Sequence, residues 1–277
     1  MVGNKTMTIL YDLSKLPSET RELIENSAKY TAWFSKFPDK LLGYSTSEDN
    51  KNDAKTGKSL KYDILTAILY LIPSDGSGFN LCPMAKIAKC DGPCLNTAGR
   101  GAMGSVQVSR LRKTLFMLQY PKEFEAMLRK EIRKLEKRAK KLGLILKIRL
   151  NGTSDVRWER EFPEIVQEFQ EFMYDYTKIP NRNTSNFPKY DLTFSYSGVK
   201  EYQPFVKQAI DNGLRIAVVF KHKDKIPHKF LGMYCINGDD SDDTSSAPNG
   251  VVWALYAKGK ARNDTSGFVV DNTFMGV

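Results

Sequence analysis

The sequence predicts an α/β fold of repeating βα units, in a mostly parallel sheet that is open or curled into a partial (β/α) barrel. Three observations carry that expectation. Short apolar runs recur through the second half of the chain: "LILKIRL", "EFMYDYT", "YDLTFSY", "LRIAVVF", "FLGMYCI" and "VVWALYA". Helical segments separate several of them, notably "EREFPEIVQEFQ" and "VKEYQPFVKQAIDNG". Each run also ends in polar residues, the pattern of strands whose C-terminal loops gather around a ligand.

Taken in order, the chain begins with a helical stretch, "ETRELIENSAKYTAWFSKF", for which Ser18 is the expected cap. The polar stretch "STSEDNKNDAKTGKS" reads as an exposed loop. Its Gly57–Ser59 "GKS" resembles a phosphate-binding loop, but Asn52 stands where that motif needs glycine and no strand precedes it. "YDILTAILYLIP" reads as an apolar helix, and the cysteine-rich stretch "LCPMAKIAKCDGPCLNTAGRG" follows. Two helices come next, "SVQVSRLRKTLFMLQY" and "PKEFEAMLRKEIRKLEKRAKKLG", with Pro121 suited to a first turn and Gly143 to a C-terminal end. The expected division is an N-terminal helical segment and polar loop over residues 1–60, then a cysteine-motif α/β domain over 61–277.

Composition narrows the function classes. With 277 residues, 41% of them hydrophobic, the chain can bury a full core. No apolar run approaches membrane-spanning length, and the N-terminus lacks the pattern of a secretory leader, so a cytoplasmic location is expected. That compartment disfavours disulfides and favours metal or cluster ligation by cysteine. The net charge of +10 is uneven: residues 86–149 hold seventeen Lys or Arg against five Asp or Glu, a net +12. A basic third on a near-neutral body points to an anionic partner, a small molecule or nucleic acid. Interleaved Glu and Lys in the same segment also fit a solvated helix face.

The strand ends supply the candidate site. They carry Asn151, Ser154 and Asp155; Asp175, Tyr176, Thr177 and Lys178; and Ser195 with Ser197. Later ends offer Lys221 and His222, then Asp239, Asp240, Asp242 and Asp243, and last Lys258, Lys260, Arg262 and Asp264. The acidic run is expected to face Lys258 and Arg262 across the pocket. With His222 and His228 as its only histidines, the chain has no HExxH, and it has no G-x-S-x-G elbow.

Cys82, Cys90 and Cys94 are spaced C-x7-C-x3-C. Structural zinc normally takes four ligands, and the fourth would be Cys235, His222 or His228, all remote in sequence. Free buried thiols are the plain alternative. Three thiolates suit a [4Fe–4S] cluster with one iron left open, able to bind a substrate or S-adenosylmethionine. Pro83, Gly92 and Pro93 help the backbone wrap such a group, and Asn96, Gly99 and Arg100 in "NTAGRG" can face anionic atoms.

"CPMAKIAKCDGPCLNTAGRG", "RLNGTSD", "YDYTK", "LTFS", "AVVF" and "AKGKARNDTSGFVV" together resemble phage- and prophage-encoded proteins of the mycobacteriophage gene product eighty-eight type, from about Lys61 to Val270. More distantly, an early three-cysteine loop followed by βα units resembles radical S-adenosylmethionine enzymes. That family spaces its cysteines C-x3-C-x2-C with an aromatic residue before the third; here both intervals are longer and Pro93 takes that place. The resemblance implies a radical-SAM-like fold in which Cys82, Cys90 and Cys94 hold the cluster. It also implies that Asn151, Ser154 and Asp155 contact cofactor or substrate, that Tyr176 and Lys178 face the same mouth, and that Arg262 and Asp264 close it. Asp155, Tyr176 and Lys178 are then the catalytic candidates, with Ser195 a further cofactor contact.

The leading expectation is an iron–sulfur enzyme acting on a nucleotide or nucleic acid in the cytoplasm of a phage-infected or lysogenic cell. The alternative is a non-enzymatic nucleic-acid-binding protein with a structural zinc, whose Arg110, Arg112, Lys113, Lys130, Lys134, Lys137 and Lys141 contact phosphates. A host protein partner is a third class.

Overall fold

The computed structural model describes residues 8–46, 54–239 and 243–274. The fold is mixed α/β, with one three-stranded and one six-stranded sheet. Helices α1 (Ser18–Glu25) and α2 (Ala28–Phe34) open the described chain. The single helix expected here is two, because the chain breaks at Asn26–Ser27. The cap is Ser27, whose hydroxyl accepts the Tyr30 N–H at 3.4 Å, while Ser18 is already inside α1 behind Pro17.

Strand β1 (Leu42–Tyr44) leads to α3 (Ala54–Gly57) and a 3₁₀ turn over Lys58–Tyr62. Gly57–Ser59 therefore lies in helical turns rather than an exposed loop, and Ser59 is buried. Residues 47–53 of the polar stretch, with Asp240 and Asp242, lie outside the described residues.

The apolar segment expected to be helical is instead strand β2 (Ile64–Leu69), which pairs antiparallel with β1 and parallel with β3 (Ile145–Arg149). Leu65 through Leu69 are buried on both faces, which removes the alternation that distinguishes a strand from a helix. Between these strands run α4 (Gly104–Gln119) and α5 (Pro121–Leu142), as expected. Pro121 starts α5, and Gly143 ends it at φ 69° with its N–H on the last-turn carbonyls. The inner face of α5 is Phe124, Leu128, Ile132, Leu135 and Ala139, one stripe at helical spacing.

The expected "EREFPEIVQEFQ" helix is split before Pro163 into α6 (Trp158–Glu161) and α7 (Pro163–Phe169). The remaining strands are β4 (Tyr174–Thr177), β5 (Asp191–Ser195), β6 (Arg215–Phe220), β7 (Lys229–Phe230), β8 (Met233–Asn237) and β9 (Val252–Tyr256). Helix α8 (Gln203–Asp211) connects β5 to β6. The larger sheet has the order β4-β5-β6-β9-β8-β7 and is parallel except for the β7–β8 hairpin. A parallel bridge from Ile148 to Met173 ties β3 to the strand leading into β4, so parallel pairing runs from β2 across to β8.

Residues on both sides of position 60 share one large core, in which Tyr11, Ile24 and Phe34 are buried in the same cluster as Leu65, Phe116 and Trp158. A second cluster packs α8 residues Val206 and Ala209 against Phe194, Ile216 and Val218, and reaches Ala88 in the cysteine segment. The strands thus end beneath the segment that carries the thiols.

Candidate functional site

The cysteine segment is pinned over the C-terminal strand ends by local chemistry. Asn80 Oδ1 accepts the Cys82 N–H at 2.8 Å, and the Cys90 N–H donates to Ala85 O at 3.1 Å. Cys94 opens the turn Leu95–Thr97, its sulfur accepting the Asn96 N–H at 3.4 Å. Ser197 Oγ, from the loop after β5, donates to Ala88 O at 2.8 Å. Ser266 Oγ, from the loop after β9, donates to Lys89 O at 3.3 Å.

The loop after β3 is built on Asn151. Its Oδ1 accepts from Ser154 Oγ, the Val156 N–H and Trp158 Nε1 at 3.0, 2.9 and 3.1 Å, and its own N–H donates to Asp175 Oδ1 at 2.7 Å. This hub places Asp155, which is buried. Asp155 Oδ1 accepts from Thr177 Oγ1 and Oδ2 from the Lys178 N–H, both at 2.8 Å. Arg182, whose side chain is 1% exposed, stands 3.8 Å from Asp155, pairs with Glu159 and donates to Tyr190 Oη at 3.2 Å. Tyr190 Oη in turn donates to Asp175 Oδ2 at 2.7 Å. Burial pushes the Asp155 carboxyl up and the Asp175 carboxyl up to about 6, against the pull of these donors.

Lys178 is the centre of the arrangement. Its ammonium donates to Ser195 O and Ser195 Oγ at 3.0 Å and to Tyr196 O at 3.2 Å. It also lies 4.7 Å from the Phe268 ring centroid. Among the described residues it has no ion pair at contact distance. Burial pushes its pKa down; negative charge on Cys90, Asp155, Cys94 and Cys82 opposes that. The three thiols therefore lie within electrostatic reach of one buried ammonium. Burial raises Cys82 to about 12 and Cys90 to about 11, and raises Cys94 as well. Lys178 opposes the rise at Cys90; the Asn96 N–H and Arg110 oppose it at Cys94.

The structure brings together Cys82, Cys90, Cys94, Asp155, Lys178 and Ser195. Asn96 sits beside them but is committed to α4: its amide donates to Gln107 Oε1 at 2.9 Å and its carbonyl accepts from Arg110 Nη1 at 2.7 Å. Asn151 and Ser154 hold the loop rather than open space. Tyr176 packs beneath the site with Ala217 and Trp253, its ring 4.5 Å from the Arg149 guanidinium. Gly99, Arg100 and Arg262 are exposed. Asp264 caps its own turn, accepting from Ser266 Oγ at 2.7 Å and the Val269 N–H at 2.9 Å. It also lines an open cleft of about 410 Å³ with Lys89, Asp91, Pro93 and Lys260, where the last strand's loop meets the cysteine segment. In the acidic run, Asp239 pairs with Lys258 as expected, whereas Asp243 caps the Thr244–Ser246 turn.

Three cations expected on a phosphate-binding surface are not there. Arg110 is buried under the cysteine segment, Arg112 donates to Lys36 O at 3.0 Å, and Lys113 donates to Leu41 O at 2.7 Å. Each serves backbone carbonyls that packing has removed from water. Arg182, Tyr190 and Tyr202 are site residues that sequence spacing does not reveal; Tyr202 Oη donates to Lys178 O at 2.6 Å.

Cys82, Cys90 and Cys94 carry soft sulfur donors of the kind that thiolate-ligated groups use, and all three interact electrostatically with the buried Lys178 ammonium. Among the described residues, however, no three His, Cys, Asp or Glu side chains stand close enough to hold a metal ion as they are arranged.

Fold and site together define a mixed α/β protein whose parallel strands end beneath a loop carrying three cysteines. The chain belongs to the family described as Gene product 88, which matches residues 41–272 and bears out the resemblance to that phage family. No curated protein and no solved structure matches it significantly. Among the described residues no helix is long and apolar enough to cross a membrane.

Proposed function

We propose that this chain is an iron–sulfur enzyme in which Cys82, Cys90 and Cys94 hold the cluster over the C-terminal ends of a partial (β/α) barrel of radical-SAM-like type. The observation that supports it most is the buried Lys178 ammonium, which feels all three thiols yet contacts only neutral acceptors. A buried cation in that position stabilises an anionic neighbour. When bound, a [4Fe–4S] cluster on three cysteines supplies one open iron for a small-molecule ligand such as S-adenosylmethionine.

In this reading the chain's own residues each have a task. Burial keeps the thiols neutral in the free protein; Cys82, Cys90 and Cys94 would hold the group as thiolates, and Lys178 and Arg110 would offset their charge. Asp155 orients Thr177 and the Lys178 backbone, and Arg182 holds Asp155. The cleft lined by Lys89 and Lys260 together with Asp91 and Asp264 leads from solvent to the cysteine segment. The anionic substrate of this reading, a nucleotide or nucleic acid, rests on the basic charge of residues 86–149.

Anaerobic purification of the full chain and of four single Cys→Ala variants tests this. Iron should be retained by the wild type and by Cys235→Ala, whose thiol lies on β8, and lost from Cys82→Ala, Cys90→Ala and Cys94→Ala. Zinc in place of iron would replace the enzyme reading with a structural clasp. Equal metal content in all five proteins would overturn the assignment of ligands.

A further inference from the structure

We infer that the outer face of α5 is a docking surface for the phosphate backbone of a nucleic-acid duplex. The buried stripe from Phe124 to Ala139 fixes the rotation of this helix about its axis. Lys130, Lys134, Lys137 and Lys141 then fall at i, i+4, i+7 and i+11, all exposed and in one row. At about 1.5 Å per residue the row is about 16 Å long. Arg138 and Lys140 flank it and are also exposed.

Of the four acids of α5 two are committed elsewhere, while Glu123 in the first turn and Glu136 between Lys134 and Lys137 remain exposed. Glu125 pairs with Arg129 at 2.7 Å, and Glu168 from α7 takes Arg129 and Arg133 at 2.8 and 2.7 Å. Glu131 turns inward and accepts the Leu41 and Leu42 N–H groups at 2.7 and 2.9 Å. Among the described residues none of Lys130, Lys134, Lys137 or Lys141 has an ion pair. Lys141 sits in the last turn, where the helix dipole welcomes a cation, but Lys130, Lys134 and Lys137 lie too far inside to gain from it. Like charges at these spacings repel, so the row is a liability to the isolated helix and an asset beside a polyanion.

A duplex presents one phosphate charge per about 1.7 Å of axis, dense enough to meet every lysine of the row. An anionic membrane fits less well, because the apolar face of α5 is already in the core and cannot enter lipid. The surface reads backbone charge rather than sequence. It is independent of the cysteine site and stands whether or not the chain holds a cluster.

The test is fluorescence anisotropy with the full chain and a 20-base-pair duplex of mixed sequence, as DNA and as RNA, across 50–200 mM NaCl. Four phosphate contacts predict a log–log salt slope of about −3.6 or steeper, hence about a 10²-fold loss of affinity over that range. Replacing Lys130, Lys134, Lys137 and Lys141 by Gln should make the slope shallower by about 3 to 4 units, and the Lys134→Gln, Lys137→Gln pair by about half of that. Glutamine keeps helix propensity, and circular dichroism checks the fold. Binding of either duplex with this response supports the docking surface, and the two arms show which nucleic acid it takes. No binding at 50 mM, an unchanged slope in the variants, or binding to anionic phospholipid vesicles without binding to duplex would overturn it.

Discussion

Lys178 and the thiols illustrate what burial does to single ionisable groups. Each cysteine is held neutral because desolvation outweighs the opposing pull of its neighbours, Lys178 at Cys90 and the Asn96 N–H and Arg110 at Cys94. In the metal-free protein Cys82, near 12, and Cys90, near 11, should alkylate with iodoacetamide at pH 8 at least about tenfold slower than an exposed cysteine, the smaller thiolate fraction outweighing the higher nucleophilicity. Denaturation should restore the ordinary rate; ordinary rates in the folded protein would contradict the burial argument. Asp175 gives a pH test. Its carboxyl is raised by burial to about 6, so the folded state binds its proton more tightly than the unfolded state does. Its contribution to stability is full below about pH 4 and is lost as pH rises through 6. Asp175→Asn should therefore be most favourable relative to wild type at pH 7, and its urea midpoint relative to wild type should fall toward pH 4. A pH-independent difference would refute this.

At the scale of elements, sequence legibility follows burial. Strands β3 to β6 are visible because each is a short apolar or β-branched run bounded by polar residues, and α5 because Pro121 and Gly143 mark its ends. Strand β2 is hidden because packing buries both its faces and leaves no alternation. The break between α1 and α2 is hidden because neither Pro nor Gly marks it; only the Ser27 hydroxyl does. The corrected cap makes a direct prediction. Ser27→Ala should cost about 1 kcal/mol in chemical denaturation, and Ser18→Ala, which removes no capping bond, less than about 0.5 kcal/mol. Equal costs would return the cap to Ser18. The same logic applies to the site: Asp155 and Lys178 are legible as strand-end residues. Arg110 is not, because the basic helix around it suggests solvent when packing has turned that position inward.

For the whole molecule, the strand order is the least legible feature. Inserting β9 between β6 and β8 depends on pairings far apart in sequence, which no local pattern encodes. The charge asymmetry is legible but its meaning divides in space. Arg110, Arg112 and Arg149 of the basic third are buried and hold the frame, while the α5 lysines face outward. Parallel pairing from β2 to β8, through the Ile148–Met173 bridge, brings several strand ends to one side. There the loops after β3, β4, β5 and β9 hydrogen-bond to one another or to the cysteine segment. The most direct measurement of the central claim is iron and acid-labile sulfide per chain after anaerobic reconstitution, with an electron paramagnetic resonance spectrum of the dithionite-reduced protein. About four irons and four sulfides per chain and a cluster signal are expected. A chain that takes up neither iron nor sulfide and shows no signal would contradict it.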